Sequence, residues 1–408
     1  MVIINRNKKY FIKEVLVMKK LMALFLAAAM MVSMTACGSS EPAAEGGSAE
    51  TEKVLYIGGT GPLTGDYATY GTSVKQGAEL AAEEINANGG FADGWTVYAR
   101  VEDDQADGAQ AVQAYATMFD DGMDVTLGGT TSGACIAITE EAKVDNMLFL
   151  TPSGSQLECT QYDNCFRVCF EDSAQGLYAA NFIKDNAVAE KVAIIYDKSN
   201  DYSNGLRKSF VDTAAENGLE IVADEAFTNQ SNTDFSVQLQ AVKESGADLL
   251  FLPIYAQEAA YIITQADKAG LDITFFGCDG LDGILEKIGQ DNLPLAEGVM
   301  LLTPFAADSE TEPTKSFTAA YKAKYGTTPD QFAADAYDAV YAIVAAFEKA
   351  GVTPEEEGFN EAMIAAMLEI EVVGTTGTMR WDASGEPDKN ATAVVIVDGV
   401  YVSYDNVK

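Results

Sequence analysis

Short apolar runs rich in β-branched residues alternate with helix-like stretches from Val54 onward, and this alternation constrains the fold more than any other feature. One helix-like stretch is VKQGAELAAEEINA (74–87), and Gly89-Gly90 is its stop signal. Strands that alternate with helices form parallel sheets with helices on both faces. The first set of runs is VLYIGG (54–59), WTVYARV (95–101), DVTLGG (124–129) and MLFLTP (147–152).

A second set of similar runs follows, which predicts a second parallel sheet. The C-terminal third differs, because helical stretches near 313–324, 330–349 and 357–368 follow one another almost directly. The hairpin-like AVVIVDGVYVSY (393–404) comes last, with Asp398-Gly399 as its turn. The strands of the second set are KVAIIYD (191–197), LEIVADEAF (219–227), DLLFLPI (248–254), ITFFGCD (273–279) and VMLLTPF (299–305).

The N-terminal region has the pattern of an export signal. Lys19 and Lys20 precede a short apolar run (21–34), and Met34-Thr35-Ala36 comes directly before Cys37. This ending resembles a bacterial lipobox, so Cys37 is the predicted lipid anchor. We expect translation to start at Met18, a signal peptide over 18–36 and a flexible tether over 37–53. Residues 1–17 are left out of the fold prediction.

Composition excludes several classes of function. The formal net charge is −36, whereas nucleic acids and anionic lipid surfaces bind basic patches. The chain has no histidine, which excludes Ser-His-Asp and Cys-His catalysis and removes the commonest transition-metal ligand. We therefore expect no enzyme activity, no cofactor, no metal and no nucleic-acid partner.

Six cysteines occur, and five remain if Cys37 carries lipid. Cys159 and Cys165 are close in a loop-like stretch, which favours a disulfide in an exported protein. Cys135, Cys169 and Cys278 lie in apolar segments and are expected to be small buried hydrophobic residues.

Loops rich in glycine and hydroxyl residues follow three predicted strands, at 58–65, 128–134 and 151–155. Ligands of open α/β sheets bind beyond the carboxyl ends of the strands. Hydroxyls and backbone N–H groups at helix N-termini would form a seat for a carboxylate. An alternative is that these Ser and Thr residues are only helix caps.

A series of motifs along the chain resembles, in the same order, the leucine/isoleucine/valine-binding protein family of branched-chain amino-acid importers. The series covers roughly 54–385 of the chain. The resemblance implies a type I periplasmic binding protein fold: α/β, with two Rossmann-like lobes, parallel central sheets and three crossovers, closing on a ligand. The motifs are GPLTGDYATYGTSVKQGAELAAEEINANGG, VEDDQADGAQAV, LGGTTSGACIAI, FLTPSGS, CFRVCFEDSAQG, AIIYDKSNDYSNGL, FFGCDG, AADAYDAV and GTMRWDASG.

The resemblance also implies a ligand site. Ser132 and Ser155 match hydroxyl positions that hold the ligand carboxylate, and Gly154 would bring a backbone group alongside. Asp279 matches the acidic residue that holds the ammonium group, where many relatives carry Glu. The remaining matches are aromatic: Tyr202 and Tyr255 over the ligand, and Tyr70 and Phe332 near its side chain.

The residues themselves support this implication, because a zwitterion needs an anion seat and a buried carboxylate. Asp279 could instead cap a following helix, and the aromatic residues could belong to the core. The predicted lobes are 54–171 with 304–390, and 172–303 with 391–408.

We expect a monomeric, lipid-anchored, extracytoplasmic receptor that delivers an amino acid to an ABC transporter permease. The amino acid would be aliphatic or branched-chain. The alternatives are a receptor of the same fold for an amide, urea or aromatic acid, and a sensory ligand-binding module.

Overall fold

The computed structural model describes residues 53–389 and 391–407. The predicted signal peptide, the lipidated Cys37 and nearly all of the predicted tether lie outside these residues. None of the helices in the described ranges combines the length and apolar character that a membrane crossing requires.

The first sheet contains five strands in the order β2-β1-β3-β4-β5, and every neighbouring pair is parallel. Helices α1 (Ala68–Ala87), α2 (Gly108–Asp120) and α3 (Ser132–Val144) connect its first four strands. The strands are β1 (Val54–Gly61), β2 (Thr96–Asp103), β3 (Val125–Gly129), β4 (Phe149–Thr151) and β5 (Cys165–Arg167). The four predicted strands are present, and β5 is an additional short strand.

The second sheet contains seven strands in the order β14-β13-β10-β9-β8-β6-β7, and the five strands from β10 to the edge strand β7 are parallel. Helices α5 (Asp201–Asn217), α6 (Ser236–Ser245), α7 (Ala256–Lys268) and the short α8 (Ile284–Lys287) lie along this half of the chain. The five parallel strands are β6 (Lys191–Asp197), β7 (Glu220–Phe227), β8 (Leu249–Leu252), β9 (Thr274–Gly277) and β10 (Met300–Thr303).

An antiparallel hairpin completes the second sheet. It comprises β13 (Thr392–Val397) and β14 (Val400–Ser403), and β13 pairs with β10. Its turn residues Asp398 and Gly399 have φ angles of 52° and 75°. A two-residue hairpin turn with two positive φ angles matches the twist of the flanking strands, which explains why Asp-Gly predicted it.

The chain passes between the two sheets three times. Helix α4 (Asp172–Asp185) follows β5 on the way to β6, and the chain returns after β10 through α9 (Thr314–Tyr325) and α10 (Gln331–Ala350). The last passage leads to β13 and follows α11 (Phe359–Met367) and a hairpin of β11 (Val372–Gly374) with β12 (Gly377–Met379). The predicted fold class is confirmed, whereas the exact lobe boundaries stay a prediction.

Helix α10 is fixed against the first sheet by close packing on α1. A Cβ atom added to Gly77 of α1 would lie 2.0 Å from the carbonyl oxygen of Ala333 in α10. Only glycine allows two helix backbones to approach this closely. The N-terminus of α10 therefore has a fixed position beside the first sheet.

The predicted Cys159–Cys165 disulfide is wrong, because the five cysteines in the described residues all carry free thiols. The Cys159 thiol donates to the carbonyl of Ser132, and the Cys165 thiol donates to the Asn164 side chain, each at 3.8 Å. The two thiols have different partners, and proximity in sequence does not supply the sulfur geometry that a disulfide needs. The expectation that Cys135, Cys169 and Cys278 are buried is confirmed.

Candidate functional site

A small cavity lies where segments from both sheets meet. Its polar lining comes from the residues directly after β3, β4 and β9, which is the edge where open α/β sheets bind ligands. The lining residues are Tyr70, Thr130, Thr131, Ser132, Ser153, Ser155, Tyr202, Tyr255, Asp279, Gly280 and Phe332.

Seven of the eight residues predicted for the ligand site surround this cavity. The eighth, Gly154, does not line it, because both of its backbone groups are used within the protein. Its N–H donates to the Thr151 hydroxyl at 2.8 Å, and its carbonyl accepts from Arg167 at 3.0 Å. A Cβ atom at Gly154 would lie 2.5 Å from the Cys135 sulfur, so close packing explains the glycine.

Two hydroxyl groups at the cavity are buried without a hydrogen-bond partner in the described part of the chain, those of Thr131 and Ser155. Thr131 precedes α3 yet makes no side-chain capping bond, and Ser155 does not begin a helix. The Ser132 hydroxyl accepts the Gln156 N–H at 3.2 Å and keeps its own proton to donate. These hydroxyls are therefore not ordinary helix caps, and they can donate to an anion.

Arg167 holds the loop that carries Ser155. It is fully buried, and its guanidinium donates to the carbonyls of Gly154 and Gln156 at 3.0 and 3.2 Å. It also donates to the Thr160 hydroxyl at 3.0 Å and to Glu386 at 2.9 Å. A rigid fork with this many acceptors fixes the position of the loop behind the cavity.

Asp279 faces the hydroxyl groups from the second sheet and is 5% exposed. Its Oδ1 accepts from the Tyr202 hydroxyl at 2.6 Å and from the Gly280 N–H at 2.8 Å. Burial raises the pKa of the Asp279 carboxyl to about 6, while the Tyr202 hydroxyl lowers it. A carboxylate held this way is ionised at neutral pH and can accept from a cationic ligand group.

Asp172 is a second buried carboxylate beside the site, and the sequence did not single it out. It is 2% exposed, and neither of its oxygens has a hydrogen-bond partner among the described residues. Burial raises the pKa of the Asp172 carboxyl well above its usual range, and the nearby charge of Asp279 raises it further, while the neighbouring Ser155 hydroxyl lowers it. An aspartate in the first turn of a helix is common, so no sequence pattern indicates that Asp172 lies beside the site.

Aromatic rings close the cavity. Tyr202 and Tyr255 stack with their centroids 5.0 Å apart, and Tyr70 packs against Phe332 at 4.7 Å. The Tyr70 hydroxyl donates to the Gly280 carbonyl at 2.6 Å and accepts from the Ala256 N–H at 2.8 Å. Tyr70 lies in the first turn of α1 in the first half, so these bonds connect the two halves across the cavity.

Comparison with known proteins agrees with this architecture. A protein of Pseudomonas aeruginosa named leucine-, isoleucine-, valine-, threonine- and alanine-binding protein is 29% identical over 83% of this chain and 87% of its own. A Leu/Ile/Val-binding protein of Rhizobium johnstonii is 31% identical over 76% of this chain and 83% of its own.

A solved structure of a related protein has a similar fold. The branched-chain amino acid transporter substrate-binding protein LivJ of Streptococcus pneumoniae, in complex with isoleucine, superimposes with a TM-score of 0.77. It is 29% identical, and the match covers 86% of this chain and all of that one. The family profile described as periplasmic binding protein matches residues 54–399. With its two sheets built on parallel strands, its three crossings and its cavity, the chain belongs to the periplasmic binding protein family and has the type I fold.

Proposed function

We propose that this protein is an extracytoplasmic solute-binding lipoprotein that captures a small α-amino acid and delivers it to an ABC transporter permease. The amino acid is aliphatic or branched-chain. The observation that carries this proposal is the arrangement of hydroxyl donors and a carboxylate on opposite sides of one cavity. Cys37 is the proposed lipid anchor.

The polar groups of the cavity complement a zwitterion. The hydroxyls of Thr131, Ser132 and Ser155 would bind the α-carboxylate from the first half. Asp279 would accept from the α-ammonium group from the second half, where burial strengthens a charge-assisted hydrogen bond. A neutral polar ligand would leave the Asp279 charge uncompensated in a buried site.

Asp172 strengthens the case for an ammonium group. Without a donor, Asp172 is expected to hold a proton while the site is empty, and a ligand cation near Asp172 and Asp279 would favour its ionised form. We therefore include Asp172 as a second acceptor for the ligand's ammonium.

The names of the relatives support the ligand class. The proteins from P. aeruginosa and R. johnstonii are named for branched-chain and small neutral amino acids, and the pneumococcal structure holds isoleucine. The four rings of Tyr70, Tyr202, Tyr255 and Phe332 offer an apolar surface that suits an uncharged side chain.

A thermal-shift panel of the twenty amino acids tests the proposal. A ligand at about 100 times its dissociation constant should stabilise the protein by about 2.7 kcal/mol. The panel should include a simple amide, urea and benzoate, because aromatic rings also suit an aromatic acid. Stabilisation by one of these and by no amino acid would replace the proposal with the corresponding alternative.

Cell fractionation tests the anchor separately. The wild-type protein should appear in the membrane fraction, and Cys37→Ala should move it to the soluble fraction. A wild-type protein found only in the soluble fraction would contradict the lipid anchor and leave ligand capture unaffected.

A further inference from the structure

Two carboxylates meet at the N-terminus of α10. The Asp330 Oδ1 accepts from the Ala333 N–H at 2.9 Å, and its Oδ2 accepts from the Ser73 hydroxyl at 2.6 Å. The Asp282 Oδ2 accepts from the Gln331 N–H at 3.1 Å. The two acids therefore share the first turn of one helix, where the free N–H groups and the helix dipole favour negative charge.

These acids belong to different halves of the molecule. Asp330 caps the N-terminus of α10, which is packed on α1 beside the first sheet. Asp282 lies in the segment between β9 and α8 of the second half. The two carboxylates therefore share this helix terminus only while the two halves are together.

The halves must separate for a ligand to enter. Ser132, Ser155 and Asp279 are each no more than 5% exposed, so no ligand reaches the cavity in this closed arrangement. The bonds from Tyr70 to Gly280 and from Gln331 to Asp282 must break on opening. Opening therefore also moves Asp282 away from Asp330.

We propose that ligand capture is coupled to the uptake of a proton by the Asp282–Asp330 pair. When both acids are ionised, closure brings two negative charges together. When one of the two acids is protonated, that repulsion disappears. Acidification then favours the closed arrangement. The proton coupling would regulate the proposed ligand site. It rests on the proposed function only in those experiments that add a ligand.

The sign follows from the pKa values in the two arrangements. In the closed arrangement, burial raises the pKa of Asp330, and the charge of Asp282 raises it further, to about 8. Burial also raises the pKa of Asp282. On opening, Asp282 loses the Gln331 N–H and becomes hydrated, whereas Asp330 keeps its bonds to Ala333 and Ser73 but no longer faces the Asp282 charge. Both pKa values then fall towards that of an ordinary aspartate, about 4. The closed form thus binds more protons between about pH 4 and about pH 8, and affinity falls as the pH rises through that range.

Other ionisable groups face the pair. Glu286 of α8 adds a negative charge, and the phenols of Tyr321 and Tyr401 lie nearby from α9 and β14. Lys287 directs its ammonium group to the carbonyl of Asp66 at 2.5 Å. Burial raises the pKa of both phenols, so neither titrates between pH 4 and pH 8.

Calorimetric titration at about pH 6 and about pH 8 tests the coupling, with the amino acid that stabilises the protein best. The wild type should bind roughly tenfold tighter at pH 6, since one proton can change affinity by up to tenfold per pH unit. Asp330→Asn keeps the helix cap, and Asp282→Asn keeps one acceptor. Each should reduce the ratio to about twofold or less and tighten binding at pH 8.

Asp291→Asn is the matched control, because it removes an exposed negative charge of the second half that is not among the charges facing the pair. It should keep the wild-type ratio. A wild type without pH dependence, or Asn variants that retain it, would overturn the inference even though the amino acid binds.

A measurement without ligand separates this inference from the proposed function. Small-angle scattering of the free wild type should give a smaller radius of gyration at pH 6 than at pH 8. Both Asn variants should show a clearly smaller difference between the two pH values, and only the part due to Asp279 and Asp172 should remain. If no amino acid binds, the proposed function fails, and the scattering comparison still decides the proton coupling.

Discussion

The Tyr202 hydroxyl donates a 2.6 Å hydrogen bond to Asp279 Oδ1, and both residues belong to the second half of the molecule. This bond fixes the carboxylate before any ligand arrives. Together with the Gly280 N–H it uses about half of the acceptor capacity of an ionised carboxylate, which has about four lone-pair sites. The remaining capacity is available to a cationic group in the cavity.

Asp279→Asn should weaken amino-acid binding strongly and leave the fold intact. Removing one member of a desolvated charge pair costs about 2–5 kcal/mol, which is roughly a 30- to several-thousand-fold loss of affinity. High salt should change this loss little, because buried pairs are poorly screened. Calorimetric titration at low and high salt measures it. The control Asp291→Asn removes an exposed acid and should have little effect. A loss of less than threefold at Asp279 would refute its role as the ammonium anchor.

Asp172→Asn should reduce the preference for an amino group specifically. We expect wild-type protein to bind leucine far more tightly than the 2-hydroxy analogue of leucine. The variant should lose at least tenfold for leucine and little for the analogue, because only the ammonium group needs the charge. Equal losses for both ligands would assign Asp172 a structural role.

Ser155→Ala should weaken binding through the carboxylate. Losing one hydrogen bond to a buried group costs about 1–3 kcal/mol. Thr318 supplies a matched control, because its hydroxyl is also buried without a partner among the described residues but does not line the cavity. Thr318→Val should leave the affinity unchanged. If Ser155→Ala binds as tightly as wild type, its hydroxyl does not contact the ligand.

Arg167→Met should destabilise the fold as well as the site. The variant removes the donors to Gly154, Gln156 and Thr160 and leaves Glu386 without its cation. Breaking a buried ion pair costs about 3–5 kcal/mol, which a urea unfolding curve can measure. Glu386 is partly exposed, so Glu386→Gln should cost less. A stability equal to that of wild type for Arg167→Met would contradict this view of the loop.

Much of the fold could be predicted from the sequence, because strands such as KVAIIYD (191–197) are apolar, β-branched and flanked by helical periodicity. Strand β5 escaped prediction since it has three residues and ends in a buried arginine, which no apolar pattern indicates. Whether a strand could be predicted thus depends on the length of its apolar pattern.

The ligand site, too, could be predicted only in part. Ser132, Ser155 and Asp279 follow strand ends, and local rules place such residues at a common edge. The proximity of Asp172, the engaged backbone of Gly154 and the separate partners of Cys159 and Cys165 depend on contacts between distant segments. Sequence spacing does not report those contacts.

The surroundings of β5 have a consequence for the order in which the protein forms. The Arg167 N–H donates to the Gly385 carbonyl at 3.1 Å, and the Trp381 indole donates to the Arg167 carbonyl at 2.6 Å. These partners are separated by more than two hundred residues, and closing so long a loop is an entropic cost met late in folding. A chain that emerges N-terminus first holds every strand of the first sheet well before residues 381–386 arrive. We therefore expect a nascent or C-terminally truncated chain to fold its strands and still lack an ordered binding loop, so that ligand competence is acquired in the last steps of synthesis and export.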